Sequence, residues 1–204
     1  NQAVAAMAKI LSAGSVTTPA WEVTDKDREF ALLEAERLME LGNIEKAESK
    51  YAEAEKCYQR SNEIFQKHSD RAGEGETTGY LGNIYQRQGQ SDRAIEHYTQ
   101  ALDIAREIGD KHGEGIHLGY LGTIYQEQGE NDRAIELYTL SIDIARDVEN
   151  KINEGIHLGN LGTVYKVQGQ YDLATEHFTQ AIDIAREVGD KRNEGIHLGN
   201  LGTV

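Results

Sequence analysis

Apolar residues recur along most of this chain at spacings of three and four positions. In the stretch 115–154 two runs follow this rule, on either side of a polar segment around Gly129. The first run is Leu118, Leu121 and Tyr125, and the second is Ala134, Tyr138, Ile142 and Ala145. Such spacing places the apolar side chains on one face of a helix. The pattern therefore predicts two amphipathic helices joined by a turn.

The pattern repeats with a period of 40 residues. The tetrapeptide Gly-Tyr-Leu-Gly at 79–82 recurs at 119–122 and, as Gly-Asn-Leu-Gly, at 159–162 and 199–202. Blocks 115–154 and 155–194 are identical at 24 of 40 positions, too many for coincidence. A helical hairpin that recurs at a fixed period is typical of a solenoid. We therefore predict an all-α array.

Turn and cap residues recur with the same period. Gly129 follows the first helix of its block, where a left-handed residue commonly ends a helix. Between blocks, Gly109-Asp110 and Gly189-Asp190 supply a terminating glycine and an N-cap. The joint at Glu149-Asn150 lacks the glycine. We expect more backbone strain there than at the other two joints.

Several glycines lie inside the first helix of each block, where each costs about 1 kcal/mol relative to alanine. Gly115, Gly119 and Gly122 are spaced to share one face of the helix. We expect this face to admit a closely packed neighbour, with Ala134 as its small partner on the second helix. The space beside Ala134 would be filled by two core residues, Tyr125 and Tyr138.

The front of the chain fits the repeat with one adjustment. Thr24 and Asp27 form a capping-box pattern that predicts a helix through Leu41, then a turn at 42–43 and a second helix over 44–68. The spacing from Gly42 to Gly89 is 47 residues, seven more than the repeat, so the second helix would be longer by close to two helical turns. A direct match at 40, in which Ala54 and Tyr58 correspond to Ala94 and Tyr98, is equally open.

The expected division of the chain follows from these registers. Residues 1–24 fall outside the repeat, with a short apolar helix over 3–11 and a linker over 12–20. The last ten residues, 195–204, form part of the first helix of a further block, which predicts a longer array. The repeats between them are 25–74, which is the longer one, 75–114, 115–154 and 155–194.

Charge and composition narrow the function classes. The 204 residues carry 35 acidic and 21 basic side chains, a net charge of −14 that disfavours binding to nucleic acid or anionic membranes. No apolar run approaches the roughly 18 to 20 residues that span a bilayer. Cys57 is the only cysteine in the sequence, which favours a reducing, cytoplasmic location. We expect the acidic residues of the predicted second helices to form a solvated outer surface, and the alternative is that a basic partner docks on it.

The repeat resembles the tetratricopeptide repeat over about residues 25–204. The residues that carry the resemblance are Leu81, Gly82, Tyr85, Gly89, Ala94, Tyr98 and Ala101. The 40-residue form is similar to the repeats of kinesin light chains, of Pins-like adaptors and of bacterial arrays fused to signalling domains. The resemblance implies a right-handed superhelix of antiparallel helix pairs. Its first helices would line a concave groove that holds a peptide or a helix of a partner protein.

Carried onto this sequence, the resemblance assigns groove positions to the first helices. Asparagine suits such a place because its amide both donates and accepts hydrogen bonds, and tyrosine adds a flat apolar surface. The positions are Tyr80, Asn83, Gln86, Arg87, Tyr120, Thr123, Gln126, Glu127, Asn160, Thr163, Lys166, Val167, Asn200 and Thr203.

Catalytic and metal-binding patterns are weak. Glu-x-x-His occurs at 114–117, 154–157 and 194–197, a spacing that di-iron bundles use, but translationally repeated copies diverge instead of converging on one metal. We expect the histidines to pack between neighbouring first helices or at the groove edge. We therefore predict no enzyme activity, no metal and no cofactor. The expected function is a protein-interaction scaffold in a signalling adaptor, and the alternative is a self-assembling structural array. Exposed apolar ends would also allow weak end-to-end association.

Overall fold

The computed structural model describes residues 20–204, with side chains from residue 25 onward. This part of the chain folds into α-helices joined by tight turns, without a strand. The helices are α1 Ala20–Ala47, α2 Tyr51–Lys67, α3 Arg71–Arg87, α4 Ser91–Ile108, α5 Lys111–Glu127, α6 Asn131–Asp147, α7 Lys151–Val167, α8 Tyr171–Glu187 and α9 Lys191–Leu201. The predicted short helix over 3–11 and most of the predicted linker lie outside the described residues. Helical hairpins succeed one another along the chain, so the all-α solenoid is confirmed.

The way the helices pack bends the array. We call the odd-numbered helices A helices and the even-numbered ones B helices. Each A helix packs against the B helix that follows it, and each B helix packs against the next A helix. Consecutive A helices also touch one another, whereas no two consecutive B helices do within residues 20–204. The A helices therefore lie closer together, and they line the concave side.

Left-handed residues end the helices at every turn. Gly89, Gly129 and Gly169 occupy the turns within later blocks at φ between +73° and +77°. At the joint before α7 the left-handed residue is Glu149, at φ +55°. A non-glycine residue in this region is strained, so the strain predicted for this joint is confirmed. Ser69 takes the same conformation, at φ +55°, at the joint before α3, for which no strain is predicted above.

The A helices that follow the joints have side-chain caps. Asp110 and Asp190 accept hydrogen bonds from the backbone N–H of Gly113 and Asn193, as predicted. Asp70 and Asn150 do the same at the other two joints. Each cap satisfies one of the unpaired N–H groups of the first turn and fixes where the A helix begins.

The first block corrects two sequence predictions. The helix α1 begins at Ala20 and not at the Thr24 capping box, and it passes through Gly42 without a turn. The turn comes later, at Ser49, which takes a left-handed φ of +61°. The second helix has 17 residues, the same length as α6 and α8. The 40-residue register is therefore correct at the level of the helices, and the proposed lengthening of the second helix is wrong.

The core is a row of aromatic rings, each packed on a glycine of the preceding A helix. Tyr58, Tyr98, Tyr138 and Phe178 are fully buried at 40-residue intervals. An added Cβ at Gly82 would lie 2.7 Å from the Tyr98 ring, and one at Gly122 would lie 2.9 Å from Tyr138. Glycine is required here because the ring occupies the volume of a side chain. This close approach offsets the low helix propensity of glycine.

The other helical glycines admit side chains that the sequence pattern does not point to. Gly115 faces the side chain of Ile144 on α6. Gly119 faces His157 from the next A helix, and an added Cβ would overlap its ring. Tyr125 is half-buried beside the core, unlike the fully buried Tyr138. Gly115, Gly119 and Gly122 therefore admit side chains from two different helices, α6 and α7.

Charged residues hold the joints together. Glu154 on α7 is buried, and it accepts hydrogen bonds from Arg146 at 2.7 Å and from Lys151 at 3.0 Å. Burial acts to raise the pKa of Glu154, but these two cations outweigh it and lower the pKa below the ordinary value. Glu114 makes the same contacts with Arg106 and Lys111 one block earlier. Each joint thus ties the end of a B helix to the start of the next A helix.

Candidate functional site

The two tyrosines predicted to lie in the groove stand half-buried on the A helices. The ring of Tyr80 packs on the core ring of Tyr58 with centroids 5.1 Å apart, and Tyr120 stacks on Tyr98 at 5.0 Å. The Tyr80 hydroxyl donates to Glu76, and burial raises the pKa of Tyr80 to about 12. Each ring therefore has one face supported by a core tyrosine, and the Tyr80 hydroxyl stays protonated near neutral pH.

The next row of predicted positions is occupied by short polar side chains that bond to their own helix. Asn83 donates to the Gly79 carbonyl at 3.1 Å, and Thr163 donates to the Gly159 carbonyl at 3.0 Å. Thr123 donates to the Gly119 carbonyl in the same way. Such bonds to the carbonyl four residues earlier occupy a donor that could otherwise reach a ligand. The Thr123 oxygen also accepts a hydrogen bond from the Tyr138 hydroxyl at 3.1 Å, so this side chain supports the core as well.

Two predicted glutamines support the core tyrosines. Gln86 Oε1 accepts a hydrogen bond from the Tyr98 hydroxyl at 3.2 Å, and Gln126 Oε1 accepts one from the Tyr138 hydroxyl at 2.8 Å. A buried hydroxyl left without a partner would cost about 1 to 3 kcal/mol, so these bonds stabilise the fold. Asn43 does the same for Tyr58 in the first block, a role that the sequence analysis missed.

The remaining predicted positions lie further toward the turn or further along the array. Arg87 and Glu127 are exposed, and Glu127 accepts a hydrogen bond from Gln86 at 3.4 Å. Lys166 donates at 2.7 Å to Thr203, which lies just beyond the end of α9. The other three are the half-buried Asn160 and Asn200 and the exposed Val167.

A cavity of 590 Å³ indents the concave side between α1, α3 and α5. Apolar side chains from four helices line it, among them Met39, Phe65, Ile104 and Ile116. The rings of Tyr80 and Tyr120 stand at its edge. Its volume lies within the range of about 300 to 1,000 Å³ that is typical of ligand pockets. The sequence analysis had placed only Tyr80, Asn83 and Tyr120 near this point.

The cavity is acidic at its rim. Four carboxylates line it: Glu36, Asp70, Glu76 and Asp110. Among the described residues that line the cavity there is neither lysine nor arginine. Of the lysines nearby, Lys111 pairs with Glu114, and Lys46 lies over the Tyr80 ring with its Nζ 4.8 Å from the ring centre. The cavity therefore combines apolar walls with an uncompensated negative charge.

The equivalent place further along the array is almost closed. Between α7 and α9 a space of only 10 Å³ is lined by Ile152, Ile156 and Asn193. Forty residues before Ile152 and Asn193 the chain has His112 and Asn153, and Asn153 in turn replaces Gly113 of the preceding block. The second half thus places larger side chains where the first half has small ones. Ile156 also replaces the carboxylate that Glu76 supplies two blocks earlier.

The Glu-x-x-His copies are structural. The histidine and the glutamate of each copy point in different directions: His157 packs on Gly119 of the preceding A helix, whereas Glu154 pairs with α6. His117 and His197 pack on Gly79 and Gly159 in the same way. The predicted packing of the histidines between neighbouring A helices is confirmed. Between residues 25 and 204 no three histidine, cysteine or acidic side chains cluster closely enough to hold a metal ion.

Two further features were considered as sites. Cys57 is half-buried on α2, and burial raises the pKa of its thiol, which lowers its reactivity. Across residues 20–204, no helix has the combination of length and apolar character needed to traverse a bilayer.

Comparison with known proteins agrees with this geometry. The sequence matches the tetratricopeptide repeat family over residues 34–107, 73–147 and 153–204, and the chain belongs to that family. None of the curated proteins compared with it gave a match.

Solved structures share the fold at low identity. BtubC (BKLC) from P. vanneervenii is 20% identical with a TM-score of 0.73, and the match covers 90% of this chain and 82% of BtubC. A putative kinesin light chain from P. anserina with nearly identical TPR-like repeats is 19% identical with a TM-score of 0.66, covering 81% of this chain and 82% of that one. A signal transduction ATPase with a tetratricopeptide repeat sensor from Pyrococcus horikoshii is 21% identical with a TM-score of 0.75, covering 84% of this chain and 27% of that protein.

Proposed function

We propose that this chain is a protein-interaction scaffold that holds an extended segment of a partner protein along the concave side of its A helices. The observation that carries the proposal is the 590 Å³ cavity between α1, α3 and α5, flanked by the supported rings of Tyr80 and Tyr120. Membership of the tetratricopeptide repeat family supports the proposal, because the repeats of this family generally bind protein partners. The repeats named as a sensor in the P. horikoshii ATPase make a signalling role a reasonable part of it.

The polar rows along the groove fit a peptide backbone. Asn160 and Asn200 are half-buried on α7 and α9, and Thr123 and Thr163 lie one turn further along their helices. An asparagine amide can donate to a peptide carbonyl and accept from a peptide N–H at the same time. This arrangement would hold the main chain of a bound segment, while the tyrosines and the cavity would contact its side chains.

A selection from a random peptide library against the 204-residue chain tests the proposal. Enriched peptides should bind with micromolar to submicromolar affinity in fluorescence polarisation. The pair Asn160→Ala and Asn200→Ala should weaken them about ten-fold, a loss of about 1.4 kcal/mol. The matched control is the pair Gln180→Ala and Thr179→Ala on α8, which changes two polar residues on the other side of the array. Enriched peptides that bind both double variants equally well would overturn the proposal.

Self-association is a second candidate because one end of the array is apolar. Leu41 and Ile44 on α1 are 43% and 56% exposed, whereas the residues 40 positions later, Leu81 and Ile84, are 5% and 0% exposed beneath α2. The outer face of α1 could therefore pair with the same face of a second copy. Light scattering over a range of concentrations should show a rising mass that Ile44→Asp abolishes, and a constant monomeric mass would exclude this candidate.

A further inference from the structure

Resting on the proposed function, we infer that the cavity between α1, α3 and α5 is the anchor site for an arginine or lysine side chain of the bound partner segment. The occupant is thus a peptide with one buried basic residue. The inference goes beyond groove binding because it names the chemistry of the partner and the part of the groove that reads it.

The shape of the site suits a long side chain with an apolar stem. Ile104 and Ile116 contribute to the walls, together with Met39 from α1. Arginine and lysine bury their methylene groups along such surfaces while the charged head stays near polar groups. A short cationic group would leave the apolar walls in contact with water, so they favour the long basic side chains.

The charges around the site complement a cation. Glu36 and Glu76 are exposed carboxylates at equivalent positions of α1 and α3, one on each side of the cavity. Asp70 and Asp110 cap α3 and α5, and each uses one oxygen on a backbone N–H while the other remains available. A partner cation would be balanced by these groups without displacing an existing ion pair at the rim.

Between α7 and α9, in the second half of the array, the corresponding place has neither the cavity nor its pair of glutamates. Ile156 and Ile196 stand 120 residues after Glu36 and Glu76 and replace their carboxylates, and Asn193 replaces Gly73 in the same register. The cavity shrinks there to 10 Å³. The acidic cavity between α1, α3 and α5 is therefore not reproduced between α7 and α9, and it would set where the basic residue of a bound segment lies.

Oriented peptide pools test the inference. Immobilised pools of short peptides would carry a fixed central arginine, lysine, glutamine or glutamate with random flanking residues, and the 204-residue chain would be applied to each. The arginine and lysine pools should retain about five times more protein than the glutamine pool, and the glutamate pool the least. This preference should fall when the salt is raised from about 50 to about 500 mM.

Two double variants locate the preference, with circular dichroism to verify their helicity. Glu36→Gln with Glu76→Gln removes two charges from the rim and should abolish the preference for basic pools. His112→Ile with Gly113→Asn copies the residues of the third block and should reduce it by filling the cavity. An asparagine is tolerated beside an aspartate cap, because Asn193 bonds to Asp190 in this way.

A charge-matched control separates the cavity from the general acidity of the protein. Glu136→Gln with Asp143→Asn removes two exposed charges from α6 and should leave the preference intact. If it lowers the preference as much as the rim variant does, or if all pools are retained equally, the inference is wrong while groove binding stands. If no pool is retained above background, the proposed function itself fails.

Discussion

Between α1 and α5 the concave side is indented by 590 Å³, whereas between α7 and α9 the equivalent place measures 10 Å³. The cores of the two halves are built alike, with Tyr98 in the first and Tyr138 in the second, both fully buried on a glycine. The residues that build the array and those that shape its inner surface therefore occupy different positions of one 40-residue unit. The surface can change from block to block while the scaffold stays constant.

The largest expected effect tests whether the two cores are equal. Tyr98→Ala and Tyr138→Ala should each lower the free energy of unfolding by about 3 to 5 kcal/mol, because both remove a fully buried ring. Urea unfolding followed by circular dichroism measures the loss. Tyr171→Ala is the control, since Tyr171 is 56% exposed and should change stability little. If the two variants lose strongly different amounts of unfolding free energy, the cores of the two halves are not equivalent.

Acid should weaken both halves through their buried histidines. Burial lowers the pKa of His117 and of His157 to about 4, from 6.5 in the unfolded chain. Since the unfolded state binds the proton more tightly, full stability is present above pH 6.5 and is lost as the pH falls toward 4. Each histidine should remove about 1.5 kcal/mol between pH 6.5 and about pH 5.

This pH window isolates the histidines from the carboxylates. Lys111 and Arg106 lower the pKa of Glu114 below its ordinary 4.5, so its stabilising contribution is lost only at more acidic pH. Urea unfolding at several pH values should show the loss in the natural chain, and the loss should be smaller when His117→Gln and His157→Gln are combined. A remainder should persist because burial also lowers the pKa of His97, His177 and His197. An equal loss in that variant would show that other groups are responsible.

Replacing a glycine by alanine at the same position of two blocks should destabilise the fold in one block and stabilise it in the other. Gly119→Ala places a methyl group against the His157 ring and should destabilise the fold by about 1 to 3 kcal/mol. Gly199 occupies the same position of its block, but nothing lies within 4 Å of an added Cβ there. Gly199→Ala should therefore stabilise α9 by up to about 1 kcal/mol. Melting temperatures measure both, and two effects of the same sign would contradict this account of the contact.

The smallest expected change in stability comes from placing two concave-side residues of the second block at the equivalent positions of the third. Ile152→His with Asn153→Gly gives the third block the residues of the second and should cost about 0.5 to 1 kcal/mol, chiefly through the glycine in the first turn of α7. A crystal structure of this variant should show an enlarged space near Ile156. A space that stays closed would mean that other side chains of the second half fill it.

Much of the scaffold follows from the sequence because its signals are local and repeated. The spacing of Leu118, Leu121 and Tyr125 predicts a helix, and Asp110 and Asp190 predict where A helices begin. These features depend on the geometry of a single helix and its ends. They are insensitive to what lies opposite.

The first block shows where such signals fail. Gly42 was interpreted as a turn glycine, but it lies inside α1 with the Tyr58 ring 2.7 Å from the position of an added Cβ. The turn is at Ser49, where the left-handed residue is a serine and not the glycine that commonly marks such a turn. The sequence does not distinguish a glycine that ends a helix from one that admits a neighbouring ring. The two differ only in their packing.

The candidate site is still harder to predict. The tyrosine and asparagine positions follow from the resemblance to the family, but the cavity depends on small residues in several helices at once, among them Gly73 and Gly113. Whether Gln86 and Gln126 face a ligand or a core hydroxyl also depends on contacts between helices. The sequence pattern alone contains no distances, so these assignments needed the structure.

The contacts across the joints have a consequence for how such genes change length. His117, His157 and His197 each pack on a glycine 38 residues earlier, and Glu114 and Glu154 each pair with an arginine eight residues earlier. A tandem duplication or deletion of 40 codons re-creates both kinds of pair at the new junction, wherever the breakpoint falls among the near-identical blocks. The number of repeats can therefore change by recombination without a compensating mutation. Two related genes can in this way encode arrays of different length.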